Sequence, residues 1–243
     1  MIISSPLTET WLPLLVAALI QAGLALGVGL LSLLSGHALA SKSNKKQKLN
    51  LNKLSISYIL GYFLVTLSSL ANLSYLFLIY DGPYLGDIWV WLSVIAILVG
   101  YVVLMFYYRR GNKGTQIWLP RGAAEYLFNR TRKVKSSFEA FLLGSASVLA
   151  EFVFAIVPLT ISALIISVMT TDGQLIGILI YSLVATSPLV VIWLMQSTGG
   201  KLSAIQTWRE KNKIFLQVVS GAMMILLGSY LLIQKVFGAL SWQ

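Results

Sequence analysis

The residue with the strongest claim to chemistry is Glu151, because it stands in "VLAEFVFAIVP" (148–158) inside a run that is otherwise apolar from Phe138 to Met169. A carboxylate at the centre of a membrane helix costs about 3 kcal/mol on insertion scales. Two kinds of chemistry offset that cost: taking up a proton, or holding a cation or a substrate group in a solvated site. The plainer alternative is a protonated glutamic acid hydrogen-bonded to a neighbouring helix. His37, in "LLSLLSGHALASK", is the only histidine of the chain. Its plain role is an interfacial side chain among headgroups, and its functional role is to share a proton or a cation with Glu151.

Hydroxyl and amide side chains extend the candidate site. Asn72 falls in "SLANLS" (69–74) and Thr186 and Ser187 in "SLVATS" (182–187), while Ser147 lies one turn before Glu151. Serine and threonine are also common packing residues between helices in lipid. Gly36, Pro158 and Pro188 are the candidate helix breaks: each proline frees a backbone carbonyl that a neighbour, water or ligand must satisfy. Lys235 stands close enough to the end of its apolar run for its stem to carry the ammonium to the headgroups.

Enzymatic constellations are missing from the sequence. It has no cysteine, so disulfides, thiol redox relays and cysteine-ligated metals are excluded. A serine protease of the intramembrane type needs a late histidine, and "GSAS" (144–147) is followed by none. There is no GxxxxGK[ST] phosphate loop. The expectation is a protein that is not an enzyme and uses no cofactor or metal.

The elements that must position these residues are membrane helices. Of 243 residues, 57% are hydrophobic and 11% charged, with a mean hydropathy of +0.81. A bilayer core takes about 20 apolar residues of helix. Six stretches qualify, Leu12–Ala40, Leu54–Tyr80, Ile88–Tyr108, Phe138–Met169, Leu175–Met195 and Ile214–Leu240, and they make an all-α polytopic membrane protein in one integral domain, 1–243. "MIISSPLTET" lacks the basic start of a cleavable signal, so the first span is expected to persist.

The net charge of +10 does not indicate nucleic acid, because the cations are gathered in loops. Seventeen of the eighteen lysines and arginines lie in 41–53, 109–137 and 198–213. By the positive-inside rule those loops are cytoplasmic and both termini are outside, in a cytoplasmic (cell) membrane. Tryptophans and tyrosines at the span ends read as interfacial anchors, and "TQIWLPRGAAEYLFNR" (115–130) as an element lying along the membrane face. Partners are then the bilayer, anionic headgroups attracted to the basic loops, and a small solute or ion. Association with further copies of the chain is open to it.

The first and fourth stretches are too long for one straight crossing, at about 43 Å and about 48 Å against a core of about 30 Å. They open two halves, 12–108 and 138–240, joined by the loop 109–137. Three spans per half forces the second half to enter from the opposite side, the arithmetic of a 3+3 inverted-topology repeat. Glycines in both opening spans have the plain reading of close helix packing.

With "LLSLLSGHAL", "LGSASVLAEFVFAIVP" and "WREKNKIFLQVVSGAMMILLGSYLL" (208–232), the chain resembles the superfamily that joins lysine exporters to CcdA-type thiol-electron transporters. The resemblance is in layout over nearly the whole chain. The CcdA-type branch has a Pro-Cys motif in its first and fourth spans; here Gly36-His37 and the region of Glu151 to Pro158 stand in those places, so thiol chemistry does not carry over. What the resemblance implies is a cavity between the opening spans of the two halves. The expected function is transport or export of a small solute or ion by alternating access, with Glu151 as the protonatable or cation-binding group. The alternative is a non-transporting assembly factor or anchor that binds protein partners through its basic loops.

Overall fold

The computed structural model of the protein describes residues 10–24, 28, 30–31, 34, 45–79, 85–106, 127, 129–131, 134, 136–198 and 211–237. Among them every regular element is a helix: α1 (Leu12–Leu24), α2 (Lys45–Ile79), α3 (Leu85–Phe106), α4 (Ser137–Ser167), α5 (Thr171–Ser197) and α6 (Lys213–Leu231), the last running into a π-helical turn, Leu232–Phe237. Val28, Leu30, Leu31 and Leu34, beyond α1, are helical too.

Four segments are long and apolar enough to cross a bilayer: Asn50–Ile79, Asp87–Met105, Thr171–Ser197 and Ile214–Gln234. The two parts of α4, Ser137–Phe152 and Ala155–Ser167, make a fifth when taken as one bent span. The expectation was six; α1 has 13 residues, fewer than a crossing needs. The chain is a multi-pass helical membrane protein.

Its surface agrees with that. Large apolar side chains such as Leu64, Tyr75, Trp91, Leu98, Leu149, Leu183 and Leu226 point outward, whereas Gln21, Ser55, Thr66, Ser147, Glu151, Ser162, Ser182 and Gln196 are buried. A water-soluble domain of this size rarely exposes so much contiguous apolar surface. Lipid has no such objection.

Local chemistry explains the ends. Ser136 caps α4, its hydroxyl accepting from the Glu139 backbone N–H at 3.2 Å, in a Ser-x-x-Glu capping box. Thr170 caps α5 by accepting from Gly173 N–H at 3.4 Å, and Asp172 puts a negative charge in the first turn, where the helix dipole favours it. The stretch 171–174 is therefore the opening of α5, and the turn before it is 168–170. Residues 45–53, expected as part of a loop, are the first turns of α2. Lysine, glutamine and leucine are good helix formers, and no glycine or proline stands between Lys45 and Gly61, so the crossing helix extends past the apolar region.

Packing is dominated by two pairs, α2 with α4 and α3 with α6, while α1 lies against α4, α5 and α6, and α2 also against α5. Glycines set the first pair. A methyl group on Gly61 would overlap the Phe141 carbonyl oxygen, and one on Gly144 the Tyr58 carbonyl oxygen. The two backbones touch where only hydrogen fits between them, which is how helices gain van der Waals contact when lipid supplies no hydrophobic drive. Gly100 and Gly221 do the same for α3 and α6: a methyl on either would stand 2.9 Å from the other's carbonyl oxygen.

The α3–α6 pair has a polar latch as well. The Gln217 amide on α6 donates to the carbonyls of Val103 and Leu104 at 2.8 and 2.7 Å. These belong to the last described turn of α3.

Candidate functional site

One face of α2 is polar over several turns. Ser55, Tyr58, Tyr62 and Thr66 are fully buried at spacings of three, four and four residues, so they form one row along the helix. The close approach at Gly61 and Gly144 presses that row against α4. Tyr62 there donates to Glu151 Oε2 at 2.7 Å. One turn earlier the Tyr58 hydroxyl meets Ser147 Oγ at 2.6 Å. Ser147 gives its own proton to the Leu143 carbonyl at 2.8 Å, which leaves Tyr58 as the donor. Farther along, Ser55 donates to Gln196 Oε1 on α5 at 3.0 Å.

Glu151 is 4% exposed. Its position on α4 is particular: the helix turns through 91° between Phe152 and Ala155. Pro158 explains the place of that bend, since it supplies no N–H to residue 154 and its ring crowds that carbonyl. The carboxyl thus sits in the last turn before a break, at the end of a helical segment whose carbonyls point onward and carry partial negative charge. A carboxyl and a carbonyl end together attract positive charge.

A second tyrosine makes a matching bond on the other side of the bundle. Tyr181 on α5, fully buried, donates to Gln21 Oε1 on α1 at 2.5 Å. The Gln21 side chain also reaches toward the Tyr62 hydroxyl, and Ser162 of α4 toward the Tyr181 hydroxyl. Glu151, Tyr62, Gln21, Tyr181 and Ser162 therefore gather at the crossing of α1, α2, α4 and α5, where the Tyr62–Glu151 and Tyr181–Gln21 hydrogen bonds join two pairs of helices. The amide nitrogen of Gln21 and the hydroxyls of Thr66 and Ser162 are buried there without a hydrogen-bond partner of standard geometry among the described residues.

The expected site residues divide clearly. Glu151 and Ser147 face this crossing. Thr186 is buried at 2% and donates to the Ser182 carbonyl of its own helix at 2.7 Å. Asn72 and Ser187 are not brought to this crossing: both are exposed, and each donates to its own helix, Asn72 to the Ser68 carbonyl and Ser187 to the Val184 carbonyl, both at 2.7 Å. Polar side chains that bond their own backbone can face lipid, which periodicity alone does not reveal. Pro188 does not break α5, which is one helix from Thr171 to Ser197. Pro158 does coincide with a bend. His37 and Gly36 lie outside the described residues. Among the described residues no group of histidine and acidic side chains is placed to hold a metal.

Sequence reasoning missed Tyr58, Tyr62, Tyr181 and Gln21, because tyrosines were sought at the membrane interfaces. A signal was present. "YFLVTLSS" (62–69) and "YSLVATSP" (181–188) match at Tyr, Leu, Val and Ser. Comparison with family models, with curated proteins and with solved structures finds no match for the chain.

Proposed function

We propose that the protein is a multi-pass transporter or exporter of a small solute or ion, in which Glu151 is the group that takes up and releases the coupling charge. One observation carries this reading: an acidic side chain is held at a helix break, in the crossing of four helices, beside a polar row with unspent hydrogen-bonding groups. Broken helices whose ends meet at such a crossing are the usual construction of ion and substrate sites in secondary transporters.

The 3+3 inverted repeat belongs to the same proposal and has support in the pairings. If α1 to α3 correspond to α4 to α6, then α2 against α4 answers to α5 against α1, and α3 against α6 answers to itself. Each of these contacts is present, and the reciprocal Gly100–Gly221 approach is what a two-fold relation would place between α3 and α6. Six spans, with N- and C-termini outside and the basic loops in the cytoplasm of a cell-membrane protein, complete the picture. The resemblance to the lysine-exporter and CcdA-type superfamily supports this layout.

A second reading, the assembly factor or anchor, is favoured by the direct Tyr62–Glu151 bond, since a carboxyl locked by tyrosine and 4% exposed also serves as polar glue. Vesicle assays separate the two. Purified protein in liposomes should release or accumulate at least one member of a panel of small cations, amino acids and organic acids, and Glu151→Gln should abolish that flux or its dependence on a pH gradient. Normal flux with Glu151→Gln across pH, or no flux for any solute, contradicts the proposal.

A further inference from the structure

We infer that the crossing of α1, α2, α4 and α5 is a proton site built twice, with a working seat at Glu151 and a neutralised seat at Gln21. The inference deepens the transport reading and rests on it for the site's part in a cycle. The occupied chemistry can be read without transport.

The two seats answer to each other in bonding and in chain position. Tyr62 donates from α2 to Glu151 on α4; Tyr181 donates from α5 to Gln21 on α1. The tyrosines open the matching segments 62–69 and 181–188. A shift of 119 residues relates them, and one of 130 relates Gln21 to Glu151. The same two shifts carry Tyr58 to Gly177 and Leu14 to Gly144. In the structure Gly144 abuts the Tyr58 backbone, and Gly177 lies 3.5 Å from Leu14 at the position a methyl would take. The Leu14 side chain thus meets Gly177 at an ordinary van der Waals distance, at the positions that the two shifts pair with Gly144 and Tyr58.

The contents of the seats point to a proton rather than a solute. Donor and acceptor are in direct contact at 2.7 and 2.5 Å, and Gln21, Tyr62, Glu151 and Tyr181 are all at most 4% exposed, so no solute stands between them. The titratable groups facing Glu151 among the described residues are the phenols of Tyr58 and Tyr62 from α2, while Tyr181 of α5 is bonded to Gln21. From α1 the facing group is the uncharged Gln21. Proton binding forms one O–H bond on a carboxyl oxygen and breaks none in the protein, changing the seat from −1 to neutral; the Tyr62 proton stays on its phenol, which continues to donate to the carboxyl. Gln21 mimics the protonated acid permanently, so one proton moves per cycle. The Gln21 amide nitrogen and the Thr66 and Ser162 hydroxyls, without a hydrogen-bond partner among the described residues, are groups ready to bind water when the crossing opens.

A hydrophobic carbodiimide tests this, since it reaches acids from the lipid and adds covalently only to the protonated carboxyl. Intact protein in phosphatidylcholine liposomes is treated from about pH 5 to about pH 9, and the adduct is located by mass spectrometry. Glu151 should be modified, with labelling falling about tenfold per pH unit on the alkaline side of its titration. Glu151→Gln should remove that adduct, and the double variant Glu151→Gln with Gln21→Glu should restore a pH-dependent adduct at position 21. If the double variant does not fold, Gln21→Glu alone should show adducts at both positions. Absence of labelling at position 151 while exposed Glu139 is modified overturns the inference, and labelling at 151 but never at 21 overturns the second seat. Solute flux without labelling overturns the proton site and leaves transport standing; labelling without flux for any solute upholds the site and overturns transport.

Discussion

The hydroxyl of Tyr62 donates to the carboxyl of Glu151 at 2.7 Å across the close α2–α4 contact, Tyr62 one residue from Gly61 and Glu151 seven from Gly144. The bond and the contact depend on each other. Without the glycines the backbones stand too far apart for the phenol to reach, and without the phenol a carboxyl is enclosed among helices with one partner fewer.

Tyr62→Phe should therefore destabilise the folded protein by about 1–3 kcal/mol, the range for removing one partner of a buried polar group. Glu151→Gln should cost much less, because its amide oxygen still accepts from Tyr62. Thermal unfolding in a fixed detergent compares them. Equal destabilisation by the two variants would mean that the charge, not the hydrogen bond, holds this contact.

Gly144→Ala should lower stability by about 1–3 kcal/mol through overpacking against the Tyr58 carbonyl. The same assay applies, and Gly173→Ala, at the exposed start of α5, is the control expected to be milder. An unaffected Gly144→Ala protein would contradict the close approach of α2 and α4.

Asn72→Ala and Ser187→Ala should leave both flux and stability within about 0.5 kcal/mol of the parent, as surface substitutions away from special contacts do. Loss of flux in either would bring these residues back into the site.

Much of this arrangement was legible in the sequence, for definable reasons. Apolar runs mark helices because lipid offers the backbone no hydrogen-bond partner, so Leu175–Met195 falls within an observed helix and most of Leu54–Tyr80, Phe138–Met169 and Ile214–Leu240 does too. Glu151 was legible because an acid among apolar residues is anomalous in any context. Asn72 and Ser187 misled because a side chain that bonds its own helix looks the same in sequence as one that faces a site. Gln21 and the buried tyrosines escaped notice because neither residue type is anomalous alone; only their pairing across the bundle gives them meaning, and pairing is a property of packing.

Gln217→Leu should weaken the α3–α6 junction by about 1–3 kcal/mol, since it leaves the Val103 and Leu104 carbonyls without their cross-helix donor. Hydrogen exchange in the last turn of α3 should rise in that variant. Unchanged exchange there would mean that the carbonyls find other partners.

The claim that Glu151 belongs to a site that opens alternately to the two sides is tested most directly by thiol access, because the chain contains no cysteine of its own. Thr66→Cys, one turn from Tyr62 on the buried face of α2, is reconstituted in sealed vesicles and exposed to a membrane-impermeant maleimide from either side, at low and at high pH. The account predicts labelling from both sides, with the ratio between them shifting with pH, and loss of that shift when Glu151→Gln is added. A cysteine at position 66 that reacts from neither side at any pH, in protein that labels fully once unfolded, would contradict it and leave Glu151 as a structural carboxyl.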